Sequence, residues 1–203
     1  MLEVAVTGNI GSGKTTVCKV FEILGIPVFY ADFHARKLLE DPFVKHLIAD
    51  CFGSEVIDQN EDINKNKLAG IVFKDKDKLE ALNNIIHPRV YSEYDLWCKN
   101  NSHFPYTIQE AAIIFETGSY KKFDYIVLVM APEEELIKRV VDRDGVSTEE
   151  VLYRLSNQIN QNQKIKMSDF QIINNNHQLI IPKIIELHNY FSGIQPKSPG
   201  KTL

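Results

Sequence analysis

Residues 8–15, with the sequence GNIGSGKT, match the phosphate-binding pattern G-x-x-x-x-G-K-[ST]. In such a loop, glycines let backbone N–H groups close around phosphate oxygens, and the N-terminus of the following helix adds partial positive charge. Lys14 would reach the β- and γ-phosphates, and the Thr15 hydroxyl would hold Mg²⁺. The sequence therefore predicts that the chain binds a nucleoside triphosphate. The residues predicted to contact it are Gly8, Asn9, Ile10, Gly11, Ser12, Gly13, Lys14, Thr15 and Thr16.

Asp32 is the second candidate, because it directly follows the short apolar run Val28–Tyr30. In open α/β sheets, ligands bind beyond the carboxyl ends of the strands, so the phosphate-binding loop and Asp32 should face one crevice. A carboxylate there could accept the proton of a hydroxyl group that attacks the γ-phosphate. Alternatively, Asp32 caps a helix that begins near Phe33. Position alone does not decide between these two interpretations.

A cationic cluster follows later in the chain, where Arg139 and Arg143 lie four residues apart and share a helical face. Arginine suits phosphoryl transfer because its planar guanidinium binds phosphate in a bidentate way. The stretch around Gly145, between two helices, is compatible with a mobile lid that excludes water. The alternative is a solvated basic face with helical pairs such as Glu135–Arg139. The members of the cationic cluster are Arg139 and Arg143 on one helix, followed by Arg154, Lys164 and Lys166.

The elements that must position these residues alternate between apolar strands and amphipathic helices, which predicts an α/β fold with a parallel sheet. The predicted strands are Leu2–Thr7, Val28–Tyr30, 106–115, Tyr125–Met130 and 169–173. The predicted helices are 14–24, a mostly helical stretch over 34–100, 132–144 beginning at Pro132, 148–160 behind a Ser147/Glu150 capping box, and 179–191. In the helical stretch, apolar Leu82, Ile85 and Ile86 precede His87-Pro88, so we expect that helix to end at the proline.

Composition and charge narrow the class of protein. The net charge of −4 argues weakly against a general nucleic-acid binder, and three widely spaced cysteines suit a reducing compartment. No basic region with an apolar signal segment precedes the first strand, and the longest apolar run, 125–132, is too short to cross a bilayer. We therefore predict a cytoplasmic protein that binds neither nucleic acid nor membranes. Its oligomeric state is not indicated, and residues 193–203 are predicted to be disordered.

A phosphate-binding loop alone does not distinguish kinases from GTPases and motor ATPases. A GTPase would carry the guanine-reading motif N-K-x-D, but the nearest string is NKNK at residues 64–67. That string lacks the aspartate and lies in the helical stretch, which disfavours a GTPase.

Taken in order, the motifs resemble those of the dephospho-CoA kinase family over nearly the whole chain. The phosphate-binding loop is generic, but its ordered combination with the later motifs is specific. The matching segments are 4–17 (VAVTGNIGSGKTTV), 30–36 (YADFHAR), 82–90 (LNNIIHPRV), 112–118 (AIIFETG), 139–145 with Arg154 and Gln158, and 169–174 (DFQIIN).

The resemblance implies an ATP- and Mg²⁺-dependent kinase that phosphorylates the 3′-hydroxyl of dephospho-CoA. It implies a three-layer P-loop core (1–31, 104–135 and 167–192), a helical acceptor-binding insertion (32–103) and a lid (136–166). Asp32 matches the family's catalytic aspartate, and Arg139 and Arg143 match lid arginines that contact ATP. His87 and Arg89 fall in the acceptor region, where His87-Pro88 is equally well explained as a helix-terminating element.

Some positions depart from the family pattern. The family's pattern has Asp-Ala-Asp where this chain has Tyr30, Ala31 and Asp32, so Tyr30 replaces the first aspartate. Asn9 replaces a glycine of the family's phosphate-binding loop. Lys14, Thr15 and Asp32 are retained, so activity is expected. A kinase acting on a nucleoside or nucleoside monophosphate, and a non-catalytic nucleotide-binding protein, are the two alternatives.

Overall fold

The computed structural model describes residues 1–72 and 75–193. Within these ranges the chain forms two compact units, one made of Met1–Phe29 together with the chain from Asn100 onward, and the other of Tyr30–Lys99. The helices are α1 (Lys14–Ile23), α2 (Ala31–Leu38), α3 (Pro42–Phe52), α4 (Lys65–Val72), α5 (Lys76–Asn100), α6 (Glu133–Asp144), α7 (Thr148–Ser156), α8 (Gln161–Lys166) and α9 (Ile181–Phe191). The predicted disordered tail lies outside the described residues from residue 194 on.

The first unit is built on a five-stranded sheet with the strand order β2-β3-β1-β4-β5. The strands are β1 (Leu2–Thr7), β2 (Val28–Tyr30), β3 (Tyr106–Glu110), β4 (Tyr125–Met130) and β5 (Phe170–Ile173). β1 pairs in parallel with both β3 and β4, and β4 pairs in parallel with β5. The predicted α/β fold with a parallel sheet is confirmed.

The burial of the sheet in the core of this unit explains why its strands are apolar at consecutive positions. Val4, Ala5 and Val6 of the central strand are fully buried, because helices cover both faces of a parallel sheet. On one face, Phe21 of α1 packs edge-on against the buried Tyr106 ring, with 6.3 Å between ring centroids. The buried strands end at one edge of the sheet, where the loop after β1 begins.

Two predicted boundaries in the first unit are wrong. β3 ends at Glu110 rather than at residue 115, and the chain then turns, with Thr117 N donating to Ile113 O and Gly118 N to Phe115 O. An apolar run gives the same pattern in a strand and in a buried turn. The helix predicted over 148–160 ends at Ser156, because the Asn160 side chain accepts from Asn162 N and starts the separate helix α8.

The second unit is helical, formed by α2 to α5 and a 3₁₀ turn at Ser54–Val56. His34 of α2 and Glu93 of α5 are joined by a hydrogen bond between His34 Nδ1 and Glu93 Oε2 at 2.8 Å. The predicted helix end at Pro88 is wrong, since α5 continues through this exposed proline to Asn100. Near the proline, the Arg89 guanidinium donates to Ile85 O and the Ser92 hydroxyl donates to Pro88 O.

Within residues 1–72 and 75–193, no helix is both long enough and apolar enough to cross a bilayer.

Candidate active site

The loop after β1 has the backbone of a phosphate cradle. Gly11 and Gly13 have φ angles of +81° and +90°, a region that side chains disfavour. A Cβ on Gly11 would lie 2.5 Å from Leu136 O, and one on Gly13 would lie 2.2 Å from the Asn174 amide nitrogen. The glycines are therefore required both by the backbone conformation and by the close approach of α6 and of the chain after β5.

The Lys14 side chain folds back and bonds to backbone carbonyls of the same loop. Its Nζ donates to Gly8 O at 3.0 Å and to Asn9 O at 3.3 Å, and the side chain is only 8% exposed. Thr15 and Thr16 follow in the exposed first turn of α1. The Ser12 hydroxyl and the Asn9 carboxamide oxygen are buried without a hydrogen-bond partner among the described residues. Such orphaned polar atoms fit a site built for a polar ligand.

Arg139 is brought to this loop, whereas Arg143 is not. The Arg139 guanidinium donates to Asn174 O at 2.9 Å and to Gly11 O at 3.4 Å. It also pairs with Glu135 at 3.6 Å, so the helical pair and the loop contact coexist. Arg143 is exposed and pairs with Asp144 at 2.7 Å, and this hydrogen bond raises the pKa of Arg143 and lowers that of Asp144.

Glu110 is a candidate that the sequence pattern did not single out as a site residue. It ends β3 opposite Val6 of β1 and is 8% exposed. The pKa of Cys18, one helical turn beyond Lys14, is raised first by burial and then by the Glu110 charge, while Lys14 lowers it. The Glu110 carboxylate thus lies in electrostatic range of the first turns of α1. The available signal was an acidic residue at the end of the strand that neighbours β1.

Lys164 also departs from the predicted pattern, because it is fully buried and not part of a solvated basic face. It pairs with Glu116 at 2.9 Å, and Gln158, a few residues earlier, accepts from the phosphate-loop amide Ile10 N. Glu116 and Lys164 are far apart in the sequence, so no local pattern could have joined them.

Asp32, His87 and Arg89 lie in the second unit. Asp32 is exposed in the first turn of α2, whose N-cap is Tyr30, so Asp32 is not the capping residue. Burial lowers the pKa of His87, and the Asp32 charge opposes that shift, so these two side chains lie in electrostatic range of each other. The Arg89 guanidinium stacks 5.2 Å from the centroid of the Phe43 ring.

Comparison with known proteins gives a consistent result over nearly the whole chain. The family model for dephospho-CoA kinase matches residues 2–180. A protein of Bacteroides fragilis named dephospho-CoA kinase is 34% identical over 187 residues, covering 92% of this chain and 91% of the relative.

Solved structures agree in fold. The Thermus thermophilus protein TT1252 superposes with a TM-score of 0.81 at 29% identity, covering 96% of this chain and 98% of that one. Dephospho-CoA kinase from Campylobacter jejuni superposes with a TM-score of 0.66 at 25% identity, covering 95% and 98% of the two chains. The phosphate-binding loop, the parallel sheet and the family match therefore lead to one conclusion: this chain belongs to the dephospho-CoA kinase family.

Proposed function

We propose that this protein transfers the γ-phosphoryl group of ATP to the ribose 3′-hydroxyl of dephospho-CoA in the cytoplasm, giving CoA and ADP. The observation that carries this proposal is the phosphate-binding loop closed around Lys14, in a chain whose residues 2–180 match the dephospho-CoA kinase family. The relatives named dephospho-CoA kinase supply the identity of the acceptor.

The nucleotide half of the site stabilises charge on the transferring group. Residues 8–16 bind the triphosphate through backbone amides, and Lys14 and Arg139 place positive charge beside it. Arg143, at the exposed end of α6, joins them when the part of the predicted lid (136–166) that lies between Arg143 and Gln158 closes and excludes water. The Thr15 hydroxyl and the Glu110 carboxylate are oxygen ligands that would suit Mg²⁺, and the bound ion would neutralise negative charge on the phosphates.

The residues that we assign to the acceptor lie in the helical unit. Asp32 accepts the proton from the 3′-hydroxyl as this oxygen attacks the γ-phosphorus in line. Its exposed position in the first turn of α2 leaves the carboxylate accessible to a substrate, and His87 lies within its electrostatic range. Residues 32–103, including His87 and Arg89, hold the rest of dephospho-CoA.

The first test is turnover of ATP to ADP by the purified chain with Mg²⁺, in the presence and absence of dephospho-CoA, with the product identified by mass. We expect ADP release that depends on dephospho-CoA and a product heavier by one phosphoryl group at the 3′ position. Turnover with a nucleoside or nucleoside monophosphate instead would overturn the acceptor assignment. Nucleotide binding without any turnover would indicate a non-catalytic protein.

The role of Asp32 is tested separately with Asp32→Asn. Because the amide cannot accept the proton, we expect kcat to fall by roughly 10²- to 10⁴-fold, with the KM for ATP changed by less than about twofold. Asp50→Asn, at an exposed site on α3 in the same unit, is the matched control and should leave both constants unchanged. An Asp32→Asn variant that keeps most of its kcat would remove Asp32 from the mechanism.

A further inference from the structure

A side chain from the segment between α7 and α8 is bonded to the phosphate-binding loop. Gln158 Oε1 accepts from Ile10 N at 2.9 Å. Ile10 lies in the middle of the loop, between the glycines at positions 8 and 11. The Gln158 carbonyl therefore constrains how one of the loop's backbone amides is oriented.

The next residue anchors this segment from the opposite side. Ile159 N donates to Glu116 Oε1 at 2.9 Å, and the same carboxylate oxygen pairs with Lys164 Nζ at 2.9 Å. Glu116 itself lies in a firmly bonded turn after β3, where the Thr117 hydroxyl donates to Ile113 O at 2.9 Å. One carboxylate thus fixes both ends of the short stretch 159–164.

The burial of Lys164 indicates that this ion pair has a specific structural role. The Lys164 side chain is fully buried, and the Glu116 side chain is 17% exposed. Burial lowers the pKa of Lys164, while Glu116 acts in the opposite direction. Removing one partner of a buried pair leaves the other charge uncompensated, so the two side chains depend on each other.

We propose that Gln158 is a positioning residue for the phosphate-binding loop, and that the buried Glu116–Lys164 pair holds Gln158 in place. By occupying the Ile10 amide, Gln158 keeps the loop in the conformation that presents its remaining amides to phosphate. The path runs from Lys164 through Glu116 and Ile159 to Gln158 and Ile10. The proposed role of Gln158 rests on the proposed function only in that this loop binds ATP.

The test measures binding of a non-hydrolysable ATP analogue with Mg²⁺ by calorimetry. Gln158→Ala removes one neutral hydrogen bond, so we expect the Kd to rise about fivefold to tenfold. Gln163→Ala is the matched control, since Gln163 is exposed on α8 in the same segment, and it should bind like the unchanged chain. Equal affinities for the two variants would overturn the proposal.

The supporting pair is tested by Glu116→Gln, which keeps an oxygen for Ile159 N but removes the charge that faces Lys164. We expect Glu116→Gln to bind the analogue more weakly than the unchanged chain. In the double variant Glu116→Gln/Gln158→Ala, the loss of binding free energy should be smaller than the sum of the losses in the two single variants. A lower Tm with an unchanged Kd would make the pair merely structural. If the charge variant does not fold, Gln158→Ala still decides the main claim.

This binding assay needs no acceptor, so it separates the two proposals. A chain that binds the analogue through Gln158 but does not phosphorylate dephospho-CoA would refute the proposed function alone. In an active chain, the KM for dephospho-CoA should stay within about twofold in Gln158→Ala, because this contact concerns the nucleotide loop.

Discussion

Lys14 shows how the chemistry of this site depends on single side chains. The ammonium group is nearly buried, and its charge is directed at loop carbonyls Gly8 O and Asn9 O. A buried positive charge is stabilised further when an anion enters the loop, since the low dielectric strengthens their attraction. We therefore expect Lys14 to attract the phosphates of ATP, in addition to its contacts with the backbone of the loop.

We expect Lys14→Met to lower kcat/KM by about 10²- to 10³-fold or more, because a charge beside the transferring group is lost while the apolar stem is kept. Steady-state kinetics with saturating dephospho-CoA measures the loss. Lys19→Met, on an exposed position of the same helix, should be neutral. If both variants lose activity to the same extent, net charge rather than the position of Lys14 is responsible.

The residues of the phosphate-binding loop could be predicted because their pattern is local in sequence. The ion pair between Glu116 and Lys164 could not be predicted, because a pair between distant segments forms only after the fold has brought them together. A lysine in a polar stretch such as 160–166 is normally exposed, and only the fold shows that Lys164 is buried.

At the scale of elements, the loop depends on the close approach of α6. Gly11 is packed against the backbone of that helix, and Arg139 of the same helix bonds to Gly11 O. The position of the loop and the position of the helix are therefore coupled. Element type was predictable from periodicity, but the continuation of α5 through Pro88 was not, because a proline within a helical pattern can either end a helix or only kink it.

We expect Gly11→Ala to destabilise the protein by about 2 to 5 kcal/mol, since the methyl adds a clash with Leu136 O to the strain of a positive φ. Gly25→Ala is the matched control, because Gly25 also has a positive φ but nothing lies within 4 Å of its added Cβ. That variant should lose only about 1 to 2 kcal/mol. Urea unfolding measures both, and equal losses would show that the contact with α6 is unimportant.

At the scale of the whole molecule, we expect two partly buried histidines to make stability depend on pH. Burial lowers the pKa of His87 in the helical unit and of His188 in α9, where His188 Nδ1 is 2.8 Å from the Tyr106 hydroxyl. Both imidazoles are thus harder to protonate in the folded chain than in the unfolded chain. The carboxylate of Asp144, whose pKa is lowered, loses its contribution only below about pH 4.

Because each folded-state histidine pKa lies below the unfolded value of 6.5, the unfolded chain binds more protons as the pH falls below about 6.5. The free energy of unfolding should therefore decrease between about pH 7 and pH 5, with Tm falling by roughly 2 to 4 °C for each kcal/mol lost.

Thermal unfolding across this pH range should show a flatter slope of Tm against pH for the double variant His87→Asn/His188→Asn. Asparagine at position 188 can still accept from the Tyr106 hydroxyl, so the packing there is preserved. His177→Asn, at an exposed site, should keep the original slope. An unchanged slope in the double variant would assign the pH dependence to other groups.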